Sequence, residues 1–431
     1  MYICRVNLAQ LYKIYTDYPS VQTDTRKIQE GDLYLALRGE TFDGNHFAEE
    51  ALRKGAAYAV IDNEKYLTSD RCILVENVLQ TLQDLARYHR QQLEIPCIAI
   101  TGSNGKTTTK ELIMAVLSTV FRVSGTTGNL NNHIGVPLTI LRIKKDSEIA
   151  VIEMGANHQK EIESYCTIAL PTHGLITNCG KAHLEGFGGM EGVRRGKGEL
   201  FDFIRHTDGI IFRNTDLDYL EEIAAGIKHQ VTYGAHNADY TGIPVSHAEF
   251  LNAAITTPMN ECLIRTQMVG SYNIANILAA FAVGRTFNIP VETIRKALEE
   301  YSPDNSRSQL IRQESNTIIL DAYNANPTSM QAAISNFALA DYPNKVVMIG
   351  AMKELGERSL DEHQHIVSLL EQTNWNDVVL VGGDFANVKH HYLFMETSVE
   401  AGKWMKQKVY KHTAFLIKGS RAFEMEKVLS E

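Results

Sequence analysis

The sequence predicts an α/β protein of three domains. Residues 1–82 form a small α/β domain, residues 83–302 a central domain with a mostly parallel sheet around a phosphate loop, and residues 303–431 a C-terminal Rossmann-like domain. Three observations lead there. The chain has 431 residues, and at about 150 residues per domain that length suggests about three cores. From Cys97 onward come short, nearly continuous apolar runs (CIAITG, EIAVIEMG, HGLITN, DGIIFRN), as expected of parallel strands buried on both faces. The last third alternates strand-like and helix-like segments, which implies a parallel sheet with crossover helices.

Taken in order, strands are expected at 32–37, 57–62 and 72–77, with a helix from Phe47 to Lys54 that Gly55 ends. A polar helix from Leu79 to Leu93 leads to Pro96. Between 235 and 270 the periodicity is weak and places no strand. An amphipathic helix, Val291 to Tyr301, closes the middle third ahead of Ser302-Pro303. Beyond it NTIILDAY, KVVMIGAM, DVVLVGG and TAFLIKGS read as strands, with SMQAAISNFALA and HQHIVSLLEQT as helices. Asn326 suits a helix cap and Pro327 the first helical position.

Composition bounds the function. Hydrophobic residues make up 44% and charged residues 22%, with only 10 prolines, so the chain folds. Lys+Arg 42 against Asp+Glu 51 gives a net charge of −9. A nucleic-acid polymer or an anionic membrane would need a basic face, so neither is an expected partner. The six cysteines (Cys4, Cys72, Cys97, Cys166, Cys179, Cys262) contain no CxxC pair and read as buried thiols in a reducing cytosol. The N-terminus lacks a basic start followed by a long apolar core, and no window approaches the roughly 18 apolar residues of a membrane span. A soluble, cytoplasmic monomer is the expectation.

The strongest chemical signal is Gly102-Ser103-Asn104-Gly105-Lys106-Thr107-Thr108, between the strand IPCIAIT and the helix-forming KELIMAVLSTV. Glycines let the backbone wrap a phosphate, and amides at the helix start point at it. Lys106 adds a fixed charge, and the Thr107 hydroxyl suits Mg²⁺. The spacing is unusual: a Walker A loop wants glycine where Ile100 stands, and here glycine comes at Gly102. A glycine turn at a strand–helix junction is the plainer reading, but lysine, threonine and context all favour the phosphate loop.

Such a loop needs a carboxylate at a neighbouring strand end, and Glu153 follows the run at 149–152. An ordinary glutamate in a βα loop is the alternative. His183 follows a third strand end, GLIT. Six glycines between Gly186 and Gly198, with Arg194, Arg195 and Lys197 among them, read as a loop: either a mobile one with solvated cations or a lid closing on phosphates.

These motifs together resemble the Mur ligases, the ATP-dependent amide-forming enzymes of peptidoglycan precursor synthesis. Their phosphate loop has the compact form TGSNGKTTTKE found at 101–111, which accounts for the spacing. The likeness runs through 24–47, GNLNNHIGVPLT, ITNCGKAHLEGFGG, GSYNIANILAA, DAYNANPTSM and LIKGSR. It implies that ATP phosphorylates a substrate carboxylate and that an amine attacks the acyl phosphate. DAYNANP and KGSR point to UDP-MurNAc-tripeptide as the acid and D-Ala-D-Ala as the amine. Other amide ligases of the superfamily, adding the third amino acid or acting like a folylpolyglutamate synthase, are the nearest alternatives. A non-catalytic ATP switch is a more distant one.

Residue by residue, the resemblance implies that the loop 102–108 binds ATP, with Lys106 on the phosphates. Thr107 and Glu153 would hold a first Mg²⁺, and His183 a second. Lys197, in KGELF, matches the lysine that the family carbamylates with CO₂, turning a cation into a metal-binding anion. Arg194 and Arg195 would ease loss of its proton by like-charge repulsion. Gly196 stands where the family has alanine. Asn273 and Asn276 resemble adenine-side contacts, and Arg307 and Asp321 the C-terminal grip on phosphates and ribose. Ala351 replaces an aspartate. Asp24-Thr25-Arg26 resembles the uridine-diphosphate motif, with a surface ion pair as the plainer reading of Arg26. Tyr323, Asn324 and Asn326 fall on the dipeptide side, where turn and cap chemistry also explains both asparagines.

Overall fold

The computed structural model describes residues 7–245, 249–257, 261–304 and 306–430. Two compact units make up the chain: residues 1–100, 121–156 and 160–174 in the first, and residues 101–120, 157–159 and 175–431 in the second. Cys4 lies outside the described residues.

The first unit opens with helix α1 (Leu8–Asp17), closed at its start by a capping box between Asn7 and Gln10. Strands β1 (Val21–Gln22), β2 (Leu33–Leu35), β3 (Tyr58–Ile61) and β4 (Cys72–Leu74) pair in parallel in that order. Helix α2 (Ala48–Arg53) crosses between β2 and β3, and Gly55 turns the chain out of it at φ +111°. Helix α3 (Val78–Gln91) buries Val78, Leu82, Leu85 and Ala86 along one face.

Next come β5 (Cys97–Thr101), α4 (Lys106–Leu117), β6 (Val123–Gly125), α5 (Gly135–Leu141), β7 (Ile149–Glu153), α6 (Glu161–Ala169) and β8 (His173–Ile176). Within the first unit β7 pairs in parallel with both β5 and β6. Register places Glu153 beside Ile100, at the carboxyl end of β7. These runs are fully buried, so they carry no alternation, as expected.

In the second unit α4 is followed by α7 (Leu184–Phe187), α8 (Met190–His206), β9 (Ile210–Asn214), α9 (Tyr219–Ile223), β10 (His229–Gly234), β11 (Tyr240–Pro244), β12 (Asn252–Thr256) and β13 (Glu261–Arg265). β9, β10 and β11 run parallel, and β12 and β13 continue as antiparallel neighbours. Only one face of β13 is buried, through Cys262 and Ile264. These strands are short, and Ile243 and Leu263 stand exposed on open faces, so apolar residues fall on both sides and blur the alternation across 235–270.

The glycine-rich segment 186–198 is a correction: most of it is the helix α8, not a loop. Glycine costs about 1 kcal/mol in a helix relative to alanine, and packing explains why it is kept. A Cβ on Gly192 would stand 1.8 Å from the Phe187 carbonyl oxygen, and one on Gly196 2.4 Å from the Phe187 ring. Helix α10 (Ile274–Thr286) was also unforeseen. Its residues 277–284 are all buried, so no polar face marks a period.

Helix α11 (Val291–Glu300) leads to β14 (Gln309–Gln313), β15 (Asn316–Asp321), α12 (Pro327–Leu339), β16 (Asn344–Gly350), α13 (Ser359–Leu370), β17 (Asp377–Val381), β18 (Leu393–Met395), α14 (Ser398–Gln407) and β19 (Thr413–Lys418). The strand order is β14-β15-β19-β16-β17-β18, parallel except for β14. Alternate strand residues feed two cores. Ile319, Val347, Ile349 and Leu380 pack with Met330, Phe337 and Ile366, while Ile318, Val346, Met348 and Val379 pack with Ala401 and Val428. That two-sided covering is what a Rossmann-like sheet requires.

The five described cysteines are all buried. Among the described residues no helix is long and apolar enough to cross a membrane.

Candidate active site

The phosphate loop joins β5 to α4. Gly102 and Gly105 take φ +144° and +80°, conformations that side chains rarely adopt. The turn after β8 holds the loop: Ser103 N–H donates to the Asn178 carbonyl at 2.8 Å, Asn104 N–H to Asn178 Oδ1 at 3.1 Å, and Thr177 Oγ1 to the Asn104 carbonyl at 2.6 Å. Ser103 Oγ and the peptide of Gly180 exchange two bonds of 3.0 Å. A Cβ on Gly102 would stand 1.9 Å from Thr177 Oγ1, so glycine is the residue that fits there. Lys106 curls over the loop, its Nζ 2.7 Å from the Gly102 carbonyl, and Thr107 is buried at the start of α4.

Asn276 and Asn273 are drawn into the support of that helix. Asn276 Oδ1 accepts from Thr109 Oγ1 at 3.0 Å and its amide donates to Asn273 Oδ1 at 2.8 Å; Asn273 in turn donates to the Val269 carbonyl. Both asparagines thus brace the loop's helix.

On the C-terminal side, Arg307 stacks on Tyr323, the guanidinium carbon 3.6 Å from the ring centroid. It is flanked by Ser306 and Ser308, both at positive φ. Ser308 N–H donates to Asp321 Oδ1 at 3.2 Å, and Ser308 Oγ meets the Tyr272 hydroxyl at 2.8 Å. Asp321 also receives Lys418 Nζ at 2.6 Å, and Lys418 reaches the Asn324 carbonyl at 3.3 Å. Lys418, from KGSR, had no predicted role; a lysine at the end of a buried strand was the available signal. Asn326 caps α12 as expected, with Pro327 in its first turn. Its amide also donates 2.7 Å to Asn104 Oδ1 in the phosphate loop. Ala351 lies fully buried at the end of β16, and a Cβ on Gly383 would stand 2.5 Å from its methyl.

The turn after β8 meets the C-terminal segment directly. Lys181 Nζ lies 2.6 Å from Glu362 Oε1, and His183 Nδ1 lies 2.5 Å from Glu354 Oε2. The His183 contact holds the Glu354 carboxyl below its usual range. Nothing in the sequence singled out Glu354.

Lys197 is buried on α8, its Nζ 4.9 Å from the Phe187 ring centroid. Arg194, one turn earlier, stacks on Tyr219, whose hydroxyl accepts from Cys179 N–H. Burial pushes the Cys179 thiol up to about 11 and the Tyr219 hydroxyl up to about 12. Both Arg194 and Arg195 are exposed. At three residues' distance Arg194 is on Lys197's side of the helix, whereas Arg195 is not. The like-charge argument therefore rests on Arg194.

Two predicted residues belong to the first unit. Glu153 is buried; Asn131 Nδ2 donates to its carboxylate at 2.7 Å, and its own N–H donates to Thr126 Oγ1. That excludes the ordinary surface glutamate. Arg26 has an 85% exposed side chain and forks onto Asp24 through two bonds of 2.8 Å. The hydrogen bonds from Arg26 pull the Asp24 carboxyl down to about 2. Thr25 opens the short turn that Asp24 caps.

The donors fit a nucleotide-held Mg²⁺. This ion takes hard oxygens and keeps much of its shell from phosphates and water, so few protein ligands suffice. Taken each in its own unit, Thr107 carries a hydroxyl and Glu153 a carboxylate, both of the hard-oxygen type. Among the described residues no group of three His, Cys, Asp or Glu forms a ready-made cage. Lys197 as an ammonium would repel a cation, and only a carbamate makes it a donor.

Residues 100–284 match the Mur ligase middle domain, residues 306–421 the Mur ligase, glutamate ligase domain, and residues 17–97 the Mur ligase family, catalytic domain. The UDP-N-acetylmuramoyl-tripeptide–D-alanyl-D-alanine ligase of Bacillus subtilis is 35% identical, over 95% of this chain and 92% of its own. The chain belongs to the Mur ligase family. The Escherichia coli ligase of the same name is 34% identical to this Mur ligase, over 95% of this chain and 92% of its own. Among solved structures, MurF from Acinetobacter baumannii superposes with a TM-score of 0.86 at 32% identity, over 95% of this chain and 92% of that one. MurF from Thermotoga maritima in complex with ADP gives 0.86 at 29%, over 95% and 96%.

Proposed function

We propose that this Mur ligase joins D-alanyl-D-alanine to UDP-N-acetylmuramoyl-tripeptide with ATP, through an acyl phosphate, giving UDP-MurNAc-pentapeptide, ADP and phosphate. The observation that carries the reading is the meeting of the phosphate loop with the DAYNANP segment through Asn104 and Asn326. Relatives named for this activity match 95% of the chain.

A carboxylate does not condense with an amine at neutral pH, because its oxygen is a poor leaving group. The substrate carboxylate takes the γ-phosphoryl and ADP departs; the amine then attacks the acyl carbon and phosphate leaves. Negative charge gathers first on the transferring phosphoryl and then on the tetrahedral carbon. Lys106 and the loop amides stabilise the first, in a site fixed before the reaction. Arg307 and Asp321 hold the nucleotide from the C-terminal side. Tyr323 and Asn324 line the dipeptide side.

Two Mg²⁺ ions would be held by Thr107 and Glu153, and by His183 and Lys197 as a CO₂-derived carbamate; they would neutralise phosphate charge. Asp24, Thr25 and Arg26 serve the uridine-diphosphate end, with residues 1–82, 83–302 and 303–431 as the three working parts. The enzyme acts as a cytoplasmic monomer.

With MgATP, the purified protein is expected to release phosphate only when both UDP-MurNAc-tripeptide and D-Ala-D-Ala are present. Turnover without them, or with glutamate as acceptor, would overturn the assignment.

A further inference from the structure

The Asn326 side chain carries two hydrogen bonds, and the first dictates the second. Its Oδ1 accepts from Ser329 N–H at 2.9 Å, which caps α12. That fixes the amide so that Nδ2 points away from the helix, 2.7 Å from Asn104 Oδ1. Asn104 is the residue whose peptide the turn after β8 grips on both sides, through Asn178 Oδ1 at its N–H and through Thr177 Oγ1 and Asn178 Nδ2 at its carbonyl. A second bond runs alongside. Thr328, two residues after the cap, accepts Lys181 N–H on its Oγ1 at 3.1 Å. A Cβ on Gly180 would stand 3.0 Å from that same oxygen.

From this we infer that Asn326 is a positioning residue for the phosphate loop, acting through Asn104 and not by binding the dipeptide. The start of α12 completes the loop's wall when the two meet, so the ATP loop reaches its working shape only with the C-terminal segment seated. Asn104 is held through its backbone from one side and through its side chain from the other. Losing the Asn326 bond frees the side chain and lets the loop relax, which costs turnover more than it costs substrate affinity. The inference rests on the ligase reading above and adds to it a role for DAYNANP in ATP use.

Asn326→Ser separates the two bonds. Serine caps a helix about as well as asparagine, adds no charge beside the phosphates, and is too short to reach Asn104. The expected result is a kcat lower by about tenfold, with the KM for D-Ala-D-Ala and the thermal midpoint essentially unchanged. In a cycle with Asn104→Ala, the double variant should be no slower than the slower single one. Additive losses, or a raised dipeptide KM at normal kcat, would overturn the inference. If serine lowers the midpoint, Asn326→Asp, which keeps cap and volume but lacks the donor, takes its place in the cycle. Should the unmodified protein show no ligase turnover, the parent reading fails by itself. The cycle is then read on ADP affinity by calorimetry, where coupling sustains the pairing and additivity removes it.

Discussion

His183 Nδ1 lies 2.5 Å from Glu354 Oε2, joining the turn after β8 to the loop after β16. A carboxylate packed against that edge of the ring orients the imidazole and leaves Nε2, on the other edge, as the nitrogen that would face a metal. Glu354→Gln should therefore raise the Mg²⁺ concentration for half-maximal activity by about tenfold. Stability should hardly move, because Glu354 is 56% exposed and such pairs contribute little. A magnesium titration with an unaltered midpoint would detach His183 from metal binding.

Lys197 tests the carbamate. Replacing it by alanine removes a side chain that is buried, where Arg194 and Arg195 on the same helix are exposed. Lys197→Ala is expected to lose most activity and to regain part of it with a short added carboxylate. Full activity without rescue would dispose of the modification.

Gly196 makes a prediction with two opposed terms. Alanine in a helix gains about 1 kcal/mol over glycine, but its methyl would sit 2.4 Å from the Phe187 ring. Overpacking of that kind costs about 1–3 kcal/mol, so Gly196→Ala should destabilise the protein on balance. Adding Phe187→Leu should recover the loss, measured as urea midpoints of the four proteins. Independent effects of the two changes would mean that the ring is not what keeps glycine here.

The residues that were legible in advance are those whose chemistry is local. The phosphate loop needs its glycines within a few residues, and the cap at Asn326 needs only Pro327 and Ser329 beside it. Glu153 was readable because a buried strand ends there. What stayed hidden depends on partners far along the chain. Glu354 meets His183 across 171 positions, and Asn326 meets Asn104 across 222. Helix α8 was misread for a related reason: its glycines answer to Phe187 and Ile223 packed against them, while composition alone suggests a loop. Helix α10 gave no periodic signal because both of its faces are covered.

Stability should fall in mild acid, and His173 contributes to the fall alongside His89 and His363, which burial also pushes down. His173 is buried on β8, with Nδ1 2.8 Å from Thr172 Oγ1. Burial pushes its imidazole from the ordinary 6.5 down to about 4. The unfolded chain binds a proton near pH 6.5, whereas the folded chain refuses one until near pH 4. Its contribution to stability is thus complete above pH 6.5 and declines as the pH drops toward 4, by roughly 3 kcal/mol over the whole window. His173→Gln removes the titrating group, so its unfolding free energy should vary less between pH 7 and pH 4.5 than that of the parent chain. Urea unfolding at several pH values across that range compares the two slopes. Equal slopes would assign the acid sensitivity to other groups.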